Sequence, residues 1–326
     1  MSGTGRRAPA PFAFAPDAPP LQPFGGDGGD GGGARVLVQF VLNLEHWTLD
    51  RPMPRAILPA PHGLSVVPDV ANHSWVLYGL RAGLPRVAAA LAPIGASVTV
   101  ALNSDVVEHY PQVADLIAER GWEVVGHGIR QQSIQGFDDE RAVVEEAIEV
   151  ITRRFGAAPR GWLGPGMNQT DETLRILRET GLEFDHDWMI DDRPVWLDAG
   201  AGRSILGLPY TVELNDVTTY QVQTQPAGSL LARTAATLPV LTREAELSPV
   251  VMPIGLHPHI MGVPHRIAEL EAMVDLVQGA AGCAAVTSSQ VHDWFAAQVP
   301  APAVTAPAVT APAVTAPAVA PRQGAE

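Results

Sequence analysis

Short apolar runs separated by amphipathic stretches dominate the middle of the chain. Runs with strand character are "RVLVQFVLNL", "ASVTVAL", "WEVVGH", "RGWLGP", "LEFDHDW", "SILGLPY", "VVMPIGLH" and "AAVTSS". Between them, helical patterns cover 74–92, 106–120, 138–155, 170–180, 227–243, 265–278 and 289–298. Strands alternating with helices predict a parallel α/β protein. About seven or eight such units without a Gly-x-Gly-x-x-Gly turn favour an irregular (β/α) barrel over an open dinucleotide-binding sheet.

The first run predicts how its strand is oriented. Val36, Val38, Phe40, Leu42 and Leu44 share one face, which an outer ring of helices would cover. Leu37, Gln39, Val41, Asn43 and Glu45 share the other, which turns polar toward its C-terminal end. In a β/α barrel that end faces the active site. "LNLEHW", the "GHG" around His127 and the "GLHPH" around His257 therefore place polar groups at three strand tips. A carboxylate with histidines at one mouth suits hydrolysis, in which water is activated and a leaving nitrogen is protonated.

The flanks read differently. Residues 1–33 are Pro-rich and then Gly/Asp-rich ("GGDGGDGGG"), which predicts a disordered arm. Residues 300–326 carry the "APAVT" repeat, whose regular prolines favour an extended tail. The expected folded unit is 34–299. Composition narrows the partners. All 21 basic residues are arginine and the net charge is −14, which disfavours nucleic acid or an anionic membrane surface. A single cysteine, Cys283, excludes an internal disulfide framework and a cysteine-based zinc site. Neither a signal-peptide core nor an apolar run of membrane length is visible, so a cytoplasmic protein is expected.

Six stretches in this order resemble the polysaccharide deacetylase superfamily. They are "NLEHW" (43–47), "GWEVVGHG" (121–128), "PRGWLGPGMNQTDETL" (159–174), "DHDWMIDDRPVW" (185–196), "LPYTVELND" (208–216) and "IGLHPHIMGVPHR" (254–266). The resemblance implies a NodB-like barrel and is closest to the allantoinase-type branch, which hydrolyses small ureides or amides. In that family the first motif pairs a catalytic acid with a metal-binding acid. A D-x-D frame puts these at Asn43 and Glu45, and a D-D frame at Glu45 and His46. Strand alternation favours the first, which leaves Glu45 as the carboxylate and Asn43 in the base slot. The metal motif's leading histidine falls on His127, and its partner four residues later is replaced by Gln131. The late-strand histidine falls on His257.

The expected catalytic residues are thus Glu45, His127 and His257. Asn43, Trp47, Trp162, Asp191, Asp192 and Arg193 are expected to line the substrate site. No tightly bound cofactor is expected. Glu45 and His127 would hold a divalent metal such as zinc weakly, since a glutamine is a poor ligand for it. His46 and His259 read more readily as structural, and Asp185 and Asp187 divide evenly between site and solvated loop. The leading function is hydrolysis of a carbon–nitrogen bond other than a peptide bond in a small ureide or amide, by a homo-oligomer as in the allantoinase-type branch. The alternatives are a metal-dependent deacetylase of N-acetyl sugars and, in another class, an inactive ureide- or sugar-binding barrel, to which Asn43 in the base slot points.

Overall fold

The structure is a computed structural model that describes residues 20–25, 32–64 and 66–302. The chain begins with β1 (Val36–Leu44), α1 (Val70–Tyr78), a π-helical turn at Gly79–Gly83, α2 (Leu84–Ala90) and β2 (Val98–Leu102). It continues through α3 (Ser104–His109), α4 (Pro111–Arg120), β3 (Glu123–Gly126), α5 (Glu140–Phe155), β4 (Gly161–Trp162), α6 (Thr173–Glu179) and β5 (Phe184–Asp185). A hairpin of β6 (Val195–Asp198) and β7 (Ser204–Gly207) follows, then α7 (Ser229–Glu244) and β8 (Val250–Leu256). The last elements are α8 (Pro258–Met261), α9 (Ile267–Gly279), β9 (Cys283–Ala285) and α10 (Ser288–Ala296).

The strands form one sheet in the order β6-β7-β5-β4-β3-β2-β1-β8, with β9 paired to the start of β1. Every pairing is parallel except that of β6 with β7. Among the described residues no continuous ladder joins β8 to the far edge. The Asn215–Gly255 bridge and the bond from the Val251 N–H to the Asp192 carbonyl lie along that side of β8 instead. The irregular (β/α) barrel expected from the alternating pattern forms as an α/β half-barrel. The β6 strand was not expected, although "VWLDAGAGRSIL" has a Gly-rich turn between two apolar runs.

β1 is buried along its whole length, and its two faces enter separate apolar layers. Val36, Val38, Phe40, Leu42 and Leu44 pack outward with Leu84 and Val87 of α2, Leu230 of α7 and Met273 of α9. Leu37 and Val41 point inward to meet Val125 of β3, Phe184 of β5, Leu206 of β7 and Val251 of β8. Period-two alternation therefore divides helix-facing from interior side chains, as the sequence pattern requires. Local signals set helix ends. Asp139 caps α5 by accepting the Ala142 N–H, and Gly156 ends it in the left-handed region at φ 79°. Thr287 and Gln290 form a reciprocal capping box on α10.

Residues 20–25 lie against the barrel. Leu21 is 8% exposed, and its N–H donates to Ser248 Oγ at 3.1 Å. The Trp294 indole donates to the Gln22 carbonyl at 2.8 Å, and Phe24 bridges to Ala34. The remainder of the expected arm up to residue 19, together with 26–31 and the tail from 303, lies outside the described residues.

Candidate active site

Strand register brings the candidate residues to one level. Leu44 pairs with Leu102, and Leu102 with Gly126, so the residues one step beyond (Glu45, Asn103 and His127) are neighbours on the rim. Asn103 ties this rim together, accepting the His46 N–H at 2.9 Å and donating to the His127 carbonyl. On the other side Leu42 pairs with Leu256, which places His257 beside Asn43. Residues distant in sequence thus meet through parallel pairing alone.

Glu45 sits at the centre, 5% exposed. Its Oε1 is 3.4 Å from His257 Nε2 and 3.9 Å from His127 Nε2, while Oε2 accepts the Trp47 indole N–H at 2.7 Å. Burial works to raise its pKa, but the two histidines outweigh that and hold the carboxyl well below its ordinary value. His257 is fixed by Asp216, which takes its Nδ1–H at 2.7 Å and its backbone N–H at 2.6 Å. Burial disfavours the imidazolium, yet the Asp216 and Glu45 charges prevail and push the pKa up to about 10. At neutral pH the pair is therefore carboxylate and imidazolium.

His127 is oriented by a different device. Its Nδ1 meets the Leu163 carbonyl, which only accepts, so Nδ1 carries the proton and Nε2 faces Glu45. The same peptide unit presents the Gly164 N–H to Asp187 Oδ1 at 2.7 Å. One peptide plane thus links the Asp187 carboxyl to the His127 ring. Asp187 is pushed up to about 6 by burial, against the hydrogen bonds from Gln169 and Gly164. Burial and the adjacent Asp187 charge push Asp185 well up. Both acids belong to a buried network through Gln169, so they are supports and not solvated loop acids.

The surrounding cavity, of about 700 Å³, is lined by Asn43, Glu45, Trp47, His127, Gln131 and His257, among others. Asn43 donates to the Tyr210 hydroxyl and the Leu256 carbonyl, both at 3.2 Å, and Asn215 donates to the same hydroxyl at 3.1 Å. Burial raises the Tyr210 pKa, so its phenol keeps its proton. His259 stacks edge-on with Trp47 and Trp75, and burial lowers its pKa to about 3, which makes it a neutral wall residue.

Four of the residues expected at the substrate site lie elsewhere. Trp162 is outside the cavity because β4 alternates: Leu163 faces the interior while Trp162 packs outward with Val144 and Leu177 under α5 and α6. The Asp192 carbonyl bonds the Val251 N–H near the start of β8, so Asp191, Asp192 and Arg193 lie at the end of the barrel away from the site. Arg193 faces Asp191 there, at 3.8 Å. Conversely, Asn103, Tyr210, Asn215 and Asp216 were not singled out. Only their proximity to strand ends in "ALNSD" and "LPYTVELND" could have marked them.

The fit of a metal rests on orphaned atoms. His127 Nε2 and Gln131 Oε1 are both buried without a hydrogen-bond partner among the described residues. With Glu45 they offer one carboxylate oxygen, one imidazole nitrogen and one neutral amide oxygen. Such a set suits a loosely held divalent ion better than a tight zinc site. The groups of three acidic or histidine residues in the described residues whose ligand atoms lie within 4.8 Å of one another are elsewhere, at His46–Asp105–His109 and Glu183–His292–Asp293. Arg160 already occupies the second, at 2.5 Å from Glu183 and 2.6 Å from Asp293.

Comparison with known proteins agrees with this architecture. The polysaccharide deacetylase family model matches residues 69–184. A Schizosaccharomyces pombe protein named as a polysaccharide deacetylase is 27% identical over 244 residues, covering 68% of this chain and 75% of that one. A peptidoglycan deacetylase of Helicobacter pylori is 24% identical over 143 residues, 43% of this chain and 48% of its own. Among solved structures, PuuE allantoinase superposes with a TM-score of 0.74 at 26% identity, covering 82% of this chain and 92% of that one. A probable polysaccharide deacetylase of Pseudomonas aeruginosa gives 0.73 at 27%, covering 82% and 93%. The two likenesses are equal in extent and do not separate the allantoinase branch from the sugar deacetylases. The chain has the NodB-like fold of the polysaccharide deacetylase superfamily.

Proposed function

We propose that the protein is a hydrolase of carbon–nitrogen bonds other than peptide bonds, acting on a small amide or ureide. The observation that carries this reading is the buried Glu45–His257 pair in the cavity, 3.4 Å apart and oppositely charged at neutral pH. An ionised carboxylate that can take a proton faces an imidazolium that can give one, and water addition and amine departure require these two transfers. In the proposed sequence, water adds to the substrate carbonyl carbon as Glu45 accepts its proton. The Tyr210 hydroxyl, which accepts from Asn43 and Asn215, has its own proton left for the developing oxyanion. The C–N bond then breaks and His257 Nε2 passes its proton to the leaving nitrogen, giving an acid and an amine. A divalent ion held by Glu45 and His127 would polarise the carbonyl.

Deacetylation of an N-acetyl sugar is the second reading, favoured by the names of the relatives from Schizosaccharomyces pombe and Helicobacter pylori. It uses the same residues on a different acyl group. An inactive binding barrel would leave Glu45 and His257 with no chemical role. A panel of ureides, small amides and N-acetyl sugars, assayed with and without chelator, separates the three. Glu45→Gln and His257→Asn should each lower turnover by about a hundredfold to ten-thousandfold with little change in substrate affinity. The double variant should lose far less than the product of the two losses, because the residues act as a unit. Near-normal turnover in Glu45→Gln sinks the mechanism.

A further inference from the structure

The charge around the cavity is opposite to that of the chain as a whole. Net charge is −14, yet the lining includes Arg51, Arg55 and Arg130 and, apart from Glu45, no carboxylate. Glu45 and Asp216 share His257, which leaves one carboxylate charge against three guanidinium groups, so positive charge is in surplus. Arg55 makes no ion pair or side-chain hydrogen bond among the described residues, and both it and Arg51 are exposed. Arg51 donates at 2.6 Å to Gln132 Oε1, a neutral partner that leaves its charge uncompensated. Arg130 has only a 3.6 Å contact with Asp105, which is not part of the cavity lining. Guanidinium groups lining one cavity of an acidic protein, two of them without an ion-pair partner among the described residues, attract and orient an anion. A planar fork of N–H donors matches the two oxygens of a carboxylate. A neutral N-acetylated sugar has no counterpart for these groups.

We propose that the substrate is a small amide or ureide bearing a carboxylate, held at the cavity mouth by Arg51 and Arg55, with Arg130 in the same lining. This rests on the hydrolase reading above and narrows its substrate class.

The test is titration calorimetry of the full chain with two probes of equal size, N-carbamoylglycine and its neutral amide. Inorganic phosphate serves as a competitor. The anionic probe should bind at least about tenfold more tightly, with most of that advantage lost in roughly 0.5 M salt. Arg51→Ala with Arg55→Ala should bring the ratio of the two affinities toward one, and Arg55→Glu should lower it further. Equal affinity for the two probes, or binding of neither, overturns the proposal, as does a preference that the arginine variants leave intact. Tight binding of phosphate with no preference between the carbamoyl probes also overturns it, because the mouth would then select phosphate over carboxylate. If the anion is preferred but nothing in the amide panel is hydrolysed, the catalytic reading fails while the carboxylate-binding site at the arginines stands.

Discussion

Asp216 and Gln131 each decide one property of the site. Asp216 holds His257 through two hydrogen bonds and, with Glu45, raises its pKa to about 10. The proposed mechanism needs Glu45 ionised and His257 protonated, so activity should persist from below the ordinary carboxylate range up to about pH 10 and fall beyond it. In Asp216→Asn the imidazolium loses a charged partner, and the alkaline limb should move down toward the ordinary imidazole value. A pH–rate profile with an unmoved limb would show that some other group titrates there. Stability follows the same sign. A raised histidine pKa contributes stability fully present below about 6.5 and lost as pH rises through about 10. Gln131 governs the metal. Because its amide oxygen is a weak donor, activity should survive extensive chelation. Gln131→His should raise zinc affinity by supplying a second imidazole, as measured by competition with a chromophoric chelator. Stoichiometric zinc in the purified protein, with all turnover lost on its removal, would contradict this.

Between elements, the critical contact is that of the π-helical turn Gly79–Gly83 with α8. A Cβ on Gly79 would meet the His259 backbone, and one on Gly83 would fall inside contact distance of the Pro258 carbonyl oxygen. Both glycines have ordinary helical dihedrals, so closeness and not backbone conformation requires them. α8 follows directly on His257 and carries His259, so this approach helps set the position of the late-strand histidine. Gly83→Ala should cost about 1–3 kcal/mol through overpacking and lower turnover as Pro258 shifts. Chemical denaturation beside an activity assay reads both effects, and an unchanged midpoint would show that the turn yields freely. Nothing in "GLRAGLP" announces this role, because the partner lies about 175 residues downstream in a segment not expected to be helical.

For the whole molecule, residues 20–25 are the test of where the folded unit begins. Leu21 is nearly buried and two hydrogen bonds join it and Gln22 to Ser248 and Trp294. Removing 1–33 should therefore lower Tm relative to removing 1–19, by an amount consistent with losing roughly 1.5–3 kcal/mol of Leu21 burial. Equal melting curves for the two truncations would show that the contact contributes nothing. Composition alone read this piece as part of a Pro/Gly-rich arm, since one leucine in such a segment has no periodic partner to reveal that it packs.

The sequence by itself determined the layering and the level of the site. Alternation along 36–45 separated helix-facing Val36, Val38, Phe40, Leu42 and Leu44 from interior Leu37 and Val41 and aimed Asn43 and Glu45 at the mouth, because side-chain direction in a strand has period two. Glycine-flanked His127 and strand-ending His257 were legible from their positions at strand ends and from the resemblance of their stretches. What only the tertiary structure decided is which groups complete those three. Sheet pairing carried Asp216 to His257 and Asp187 to the peptide that holds His127, and the loop after β1 brought Arg51 and Arg55 to the cavity. The fold also took Asp191–Arg193 to the opposite end, while alternation within β4 turned Trp162 away from the site. A local pattern specifies which face a side chain occupies. Which distant strand or loop it meets depends on the pairing of the sheet, and that is a property of the whole chain.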